Sequence, residues 1–209
     1  MSTLKKYIDY LKANVGTTWT DHAKFAAVLA KVMKPETIVD LGVHKGYSTF
    51  AFGFYNSGTV YGIDHFMGDE QTGYYDTYQD VKDRNQYVKE NFGVNNVEFI
   101  MSDFNTLAKK WDKPIDILHI DGLHTYEAVK NDFETWQPLC KENSVILFHD
   151  IYSYWNTVGQ FFSEIDGHKY VRPQSHGLGV FSKNEQILKS VWDLDMNIVK
   201  HLPKRVFFI

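Results

Sequence analysis

The chain has 209 residues, 44% of them hydrophobic and 23% charged, which is the composition of one ordinary globular domain able to bury a central sheet. A formal net charge of -4 with no block of Lys or Arg argues against a nucleic-acid partner. No apolar run reaches the ~18 residues of a membrane span, and the lone Cys140 excludes an internal disulfide and a cysteine-rich zinc site.

Apolar residues recur at helical spacing from Leu4 to Met33, with a break at Gly16-Thr17-Thr18. Residues 1–34 are therefore expected to form N-terminal helices, the second capped by Thr20 or Asp21 and stopped by Pro35. The opening residues lack the continuous apolar stretch of a signal peptide, and with the unpaired thiol this points to the cytoplasm. Thr37–Asp40 reads as a short buried strand, Gly46–Tyr55 as a helix and Thr59–Ile63 as a second strand. Residues 65–78 form an insertion in which Gly68 and Gly73 permit hinging and Tyr74, Tyr75 and Tyr78 offer flat amphipathic surfaces. It suits a lid over a bound ligand as well as an ordered surface loop.

Beyond the insertion, Asp80–Asn91 is helical, and Val97–Met101 and Ile115–Ile120 are strands. His124–Trp136 is an amphipathic helix with Tyr126, Val129, Phe133 and Trp136 on its packing face. Ser144–Phe148 is a fifth strand and Tyr152–Ile165 a helix, with strand-like pieces at Lys169–Arg172 and Leu178–Ser182. Residues 184–209 are a C-terminal extension, and its apolar end, Arg205–Ile209, suggests docking or a homodimer contact. Alternating strands and helices, with strands apolar on both sides, predict an α/β domain with a mostly parallel sheet covered on both faces. Ligands then bind beyond the strand carboxyl ends, at Asp40, Asp64, Ser102, Asp121 and His149.

The first strand runs into Asp40-Leu41-Gly42-Val43-His44-Lys45-Gly46-Tyr47-Ser48. Gly42 allows a sharp turn, and Gly46 opens the next helix without a Cβ against a ligand. The glycine spacing fits neither a dinucleotide fingerprint nor a phosphate-binding loop, which disfavours a nicotinamide oxidoreductase. Asp64 lies about 20 residues beyond this turn, where a carboxylate can accept both hydroxyls of a ribose. Ser102-Asp103, followed by Phe104, suits the edge and face of a purine. Asp121, His149 and Asp150 fall on neighbouring strand ends and suit a divalent cation such as Mg²⁺; a hydrogen-bonded His149-Asp150 pair without metal fits equally. His124, three residues after Asp121, is placed to take a proton. His176 precedes the last strand and either reaches the site or sits in a plain turn, and His119 is expected to be a core histidine.

The stretch Thr37–Ser48 resembles the first motif of class I methyltransferases, in the form found in catechol O-methyltransferase-like enzymes. A closer resemblance spans nearly the whole chain: Gly62–Tyr75, Ile117–Gly122, His124–Trp136, Ile146–Asp150 and His176–Phe181 are similar to the methyltransferase 24 family. The resemblance implies a Rossmann-like seven-stranded sheet in the order 3-2-1-4-5-7-6, the seventh strand antiparallel. It implies S-adenosylmethionine as cofactor, with Gly42, Gly46 and Ser48 around its methionine part and Asp64 on its ribose; the strand-end residues Asp40, Ser102, Asp103 and Asp121 complete the expected cofactor site. It also implies an Mg²⁺-type site at Asp121, His149 and Asp150, where His149 replaces an acid of the family. His124 stands where that family carries its lysine base, so His124 and Asp121 are the catalytic candidates. The acceptor is expected to be a hydroxyl of a sugar, glycan or small natural product, contacted by Tyr74, Tyr75 and His176. The rivals are an N- or phenolic O-methyltransferase and a module that binds the cofactor without turnover.

Overall fold

A computed structural model describes residues 2–199. Helices α1 (Thr3–Asn14) and α2 (Ala23–Met33) lead into strand β1 (Thr37–Leu41), helix α3 (Tyr47–Gly53) and strand β2 (Thr59–Asp64). A short hairpin, β3 (Gly68–Asp69) and β4 (Gly73–Tyr74), precedes helix α4 (Tyr78–Phe92), strand β5 (Val97–Met101) and helix α5 (Phe104–Ala108). Strand β6 (Ile115–Ile120), helix α6 (Tyr126–Trp136), strand β7 (Cys140–Phe148), helix α7 (Gln160–Glu164), strands β8 (His168–Arg172) and β9 (Leu178–Ser182) and helix α8 (Glu185–Val199) complete the chain.

Seven strands form one sheet in the order β5-β2-β1-β6-β7-β9-β8, parallel except for β9, which runs antiparallel to both neighbours. This is the order expected from the resemblance. The strand interiors are buried on both faces because helices cover both. One apolar layer joins Tyr7, Phe25, Phe50 and Val191 from α1, α2, α3 and α8. The other joins Val129, Trp136, Phe161 and Phe162 from α6 and α7.

Several boundaries differ from the sequence reading. β1 continues to Leu41, and α2 begins at Ala23 behind a turn without a side-chain cap, so neither Thr20 nor Asp21 caps it. The expected helix Tyr152–Ile165 is instead a π-helical turn, Trp155–Gly159, followed by the short α7. Gly159 permits this packing: a Cβ there would stand 2.7 Å from both the Ile151 carbonyl and the Trp155 ring. Of the C-terminal extension, α8 packs on the sheet, whereas Arg205–Ile209 lies outside the described residues.

Candidate active site

The site begins where β1 ends. Gly42 holds a φ of 89°, and a Cβ on it would lie 2.0 Å from the Asp121 carbonyl. The residue is thus required where the tips of β1 and β6 touch, before any ligand is considered. The Asp64 carboxylate, at the end of β2, accepts from the Val43 and His44 backbone N–H groups at 2.8 and 2.9 Å and from Phe66 N–H at 2.7 Å. It therefore holds the glycine turn and the start of the insertion together.

Two cavities open at the strand tips. The first, of about 260 Å³, is lined by Asp64, Ser102, Asp103, Phe104, Gly122 and Asp132, among others. The second, of about 410 Å³, is lined by Trp19, Lys45, Ser48, His149, Asp150 and Tyr154, among others. Gly42, His44, Thr72, Asp121 and His124 line both, so the two spaces meet beside the glycine turn.

An ionisable cluster forms the floor of that junction. His124 Nε2 lies 3.1 Å from Asp150 Oδ2 and 3.3 Å from Asp121 Oδ1. His149 Nδ1 lies 3.4 Å from the same two carboxylate oxygens. Both histidines have their other nitrogen engaged with an oxygen: His124 Nδ1 with Gln71 Oε1 at 2.7 Å, and His149 Nε2 with the Ser175 carbonyl at 2.9 Å. Each ring thus faces acceptors on both sides and favours the imidazolium form. Burial acts to lower both pKa values, but the Asp121 and Asp150 partners outweigh it and raise His124 to about 9 and His149 to about 10. Burial likewise acts to raise the two carboxyl groups, and the two histidines overcome it, leaving Asp121 far below the usual carboxylate range and Asp150 lowered. Asp150 adopts a φ of 61°, a conformation Asp tolerates better than most residues, at the point where the chain leaves β7. Among the described residues, Asp121, His124 and Asp150 each offer a ligand atom, all within 4.8 Å of one another.

The family model for a methyltransferase domain, methyltransferase 24, matches residues 39–151, the stretch that carries the glycine turn, Asp64 and this whole cluster. The chain belongs to the methyltransferase 24 family. A curated relative, the uncharacterized protein y4gI of Sinorhizobium fredii, is 30% identical over 84% of this chain, and the chain spans about a fifth (20%) of that protein's length. Among solved structures, a methyltransferase from Geobacter sulfurreducens superposes with a TM-score of 0.64 at 14% identity, covering 88% of this chain and 91% of that one. An O-methyltransferase from Bacillus cereus in complex with SAH gives 0.62 at 16% identity, covering 86% and 90%. The O-methyltransferase TomG of Streptomyces achromogenes, solved with SAM, gives 0.60 at 12% identity, covering 88% and 91%.

Within this methyltransferase 24 domain, Gly42, Asp64, Ser102, Asp103, Asp121, His124, His149 and Asp150 meet at the cavities, and Ser48 lines the second. Other expected site residues are corrected. Asp40 lines neither cavity: it is fully buried, accepting from Ser48 Oγ at 2.8 Å, Thr49 Oγ1 at 2.5 Å and His119 Nδ1 at 2.6 Å. It supports Ser48 from below. Gly46 lines neither cavity; it adopts a φ of 86°, and a Cβ there would stand 2.7 Å from the Phe50 ring. Of the expected Asp121, His149 and Asp150 set, the two carboxylates gather with His124 within 4.8 Å, and His149 Nδ1 stands 3.4 Å from both of them.

Of the expected acceptor contacts, Tyr74 is 79% exposed, Tyr75 bonds the His44 ring, and His176 is exposed and bonded to Ser153; none of the three lines either cavity. The insertion does reach the site, through Gln71, whose Oε1 accepts from the backbone and the ring of His124. Sequence reasoning missed Gln71, Trp19, Lys45, Tyr154 and Asp132. Tyr154 stacks on the His124 ring at 4.3 Å, and Trp19 closes the second cavity while its indole donates to His119 Nε2 at 3.2 Å. Only Asp132 left a mark in the sequence, as an acid on the apolar stripe Val129, Asp132, Trp136.

Proposed function

We propose that this domain transfers a methyl group from S-adenosylmethionine to a hydroxyl oxygen of a sugar, a glycan or another small natural product. One observation carries the reading: two cavities meet at the glycine turn, the first beside a carboxylate anchored to that turn and the second over an ionisable cluster. The nucleoside occupies the first and the methionine portion enters the second, so the sulfonium sits at the junction near Asp121 and His124. The acceptor takes the remainder of the second cavity, against Tyr154 and Trp19. The B. cereus enzyme, solved with SAH, and TomG, described as involved in tomaymycin synthesis, support the cofactor and a small-molecule acceptor.

The sulfonium is already activated, so the protein's work is alignment and proton handling. Tyr154 holds the His124 ring flat and Gln71 holds its outer nitrogen, which aims Nε2 at the junction. His124 keeps its own proton up to about pH 9 here and serves as a base only once that proton has left. Two carboxylates and an imidazole are also a donor set that suits a divalent cation, held by Asp121, His124 and Asp150; with such an ion bound, His124 Nε2 would be a ligand in place of a base, and the acceptor's proton would leave to solvent. Such an ion would supply orientation of the acceptor hydroxyl and a lowered pKa for it. His149, tied to Ser175, orients both carboxylates from behind. No described helix is long and apolar enough to cross a membrane, and the single thiol is half-buried; both suit the cytoplasmic placement we propose.

Methyl-labelled cofactor, offered with a panel of sugars, phenols, natural-product alcohols and amines, tests the reaction. Label is expected on hydroxyl oxygens, with activity falling on chelation and returning on metal add-back. Transfer to amines alone would replace the acceptor class, and full turnover in a verified metal-free sample would remove the ion.

A further inference from the structure

The second cavity carries a cation that none of the functions assigned above employs. Lys45 lines it from the glycine turn and is half-buried, yet among the described residues no carboxylate lies within 4.0 Å of its ammonium. The ammonium stands between two overhanging segments. It is 5.7 Å from the centre of the Tyr75 ring on the hairpin side, and 3.9 Å from where a Cβ on Gly16 would stand, in the turn between α1 and α2. Gly16, Thr18, Gln71 and Tyr75 are exposed, so the ammonium lies on the solvent side of the cavity, away from the buried Ser48. Arg84 fixes the backbone that carries it, donating from Nη1 to the Lys45 carbonyl at 3.2 Å and from Nη2 to the Asn14 carbonyl at 3.1 Å. Two further donors on this wall are unspent. Gln71 has committed its Oε1 to His124, but its amide N–H groups bond nothing among the described residues, and neither does the Thr18 hydroxyl. The floor below is electrically balanced, two carboxylates against two imidazolium rings, so the Lys45 charge is left over. Its field reaches the junction: burial foremost, then the Lys45 charge, lower the pKa of His44, which lines both cavities.

We propose that the methyl acceptor is an acid, a uronic acid or another hydroxy acid, whose carboxylate is bound by the Lys45 ammonium together with the Gln71 amide and the Thr18 hydroxyl. The inference rests on the acceptor occupying the second cavity, as put forward above. A wall of one cation and two neutral donors complements a carboxylate and leaves a neutral acceptor with an unpaired ammonium. The cofactor sharpens the demand, because its amino and carboxylate groups cancel and its sulfonium adds a second positive charge beside the same cavity. An anionic acceptor offsets both charges, and its carboxylate, held at the solvent side, leaves its hydroxyl to face the junction at His124. A site built around a charged group rejects the analogue that leaves it unpaired.

The test offers matched acceptor pairs, galacturonate with galactose and protocatechuate with protocatechuyl alcohol, to the whole protein, Lys45→Met and Lys45→Arg, with methyl-labelled cofactor. In at least one pair the native protein is expected to favour the acid by ~10-fold or more in kcat/KM, as a charge-assisted hydrogen bond allows. Lys45→Met should reduce that ratio to within ~3-fold, chiefly through KM of the acid, and Lys45→Arg should retain most of it. Because both members are compared within each variant, a general loss of activity leaves the ratio intact. Neutral members methylated as readily as the acids, label on no acid at all, or an undiminished ratio in Lys45→Met each overturn the proposal. A calorimetric titration separates the acceptor from the cofactor's own carboxylate by comparing S-adenosylhomocysteine with methylthioadenosine, which lacks the amino-acid portion. The affinity ratio of these two ligands should be the same in the native protein and Lys45→Met. A ratio that collapses in the variant assigns Lys45 to the cofactor, overturning its acceptor role while leaving the cofactor reading standing. Failure of the native protein to bind S-adenosylhomocysteine overturns both.

Discussion

Two His–Asp assemblies lie one strand apart in this sheet and behave in opposite ways. The inner one pairs His119 of β6 with Asp40 of β1 at 2.6 Å, both fully buried. Every polar atom there has a partner: Trp19 donates to His119, and Ser48 and Thr49 donate to Asp40. The outer one joins Asp121, His124, His149 and Asp150 at 3.1–3.4 Å around an open junction. Two of its carboxylates face two imidazolium rings, with cavity on the remaining side. The same residue types thus hold the sheet together when saturated, and offer exchangeable partners when they are not.

The largest contrast should appear in stability. His119→Leu strips a fully buried carboxylate of its Nδ1–H donor, with an expected loss of about 3 kcal/mol. Calorimetric melting would show it, and a variant as stable as the native protein would dissolve the distinction. His124→Ala, in the outer assembly, should lower turnover by ~10²-fold while SAH affinity stays near native. Turnover with a true acceptor that does not change would remove His124 from the chemistry.

A smaller effect concerns pH in the metal-free protein. His124 and His149 hold protons to about 9 and about 10, above the ordinary imidazole value of about 6.5. Their contribution to stability is therefore complete below about pH 6.5 and fades as pH rises through those folded values. Asp121 and Asp150, held low, contribute above the ordinary carboxyl value of about 3.9 and lose that contribution as pH falls. Denaturant titrations at pH 7 and pH 10 should show the native protein losing on the order of 2 kcal/mol more than His124→Gln. Equal losses would show that the outer assembly stores no such energy. Asp150→Asn should have the smallest effect, about 1 kcal/mol, because Asn also tolerates the positive φ and keeps an acceptor. A loss as large as that of His119→Leu would place Asp150 in the structural class.

The contrast also explains what was legible in the sequence. Strand order, the glycine turn and the tips at Asp64, Asp121 and Asp150 could be read because short apolar runs end in polar residues at the sheet's carboxyl edge. Asp40 could not, because β1 extends one residue further, to Leu41, and alternation along a strand turns on single residues. Tyr74 and Tyr75 looked like ligand contacts from composition, but the hairpin directs Gln71 and Thr72 inward instead, and hairpin register is set by pairing that no local pattern reveals. Trp19 reaches the site only because the turn between α1 and α2 folds over the β1 and β6 tips, a long-range contact without a local signature. Asp132 was legible in principle, since a carboxylate in an apolar helical stripe asks for a partner.

Titration of the purified protein with S-adenosylhomocysteine, alongside Asp64→Ala, probes the joined cavities most directly. One equivalent should bind to the native protein, with affinity at least ~10-fold weaker once the Asp64 carboxylate is gone, in keeping with a charged hydrogen-bond acceptor. Absence of binding to the native protein, at concentrations where the calorimeter would register millimolar affinity, would contradict the account.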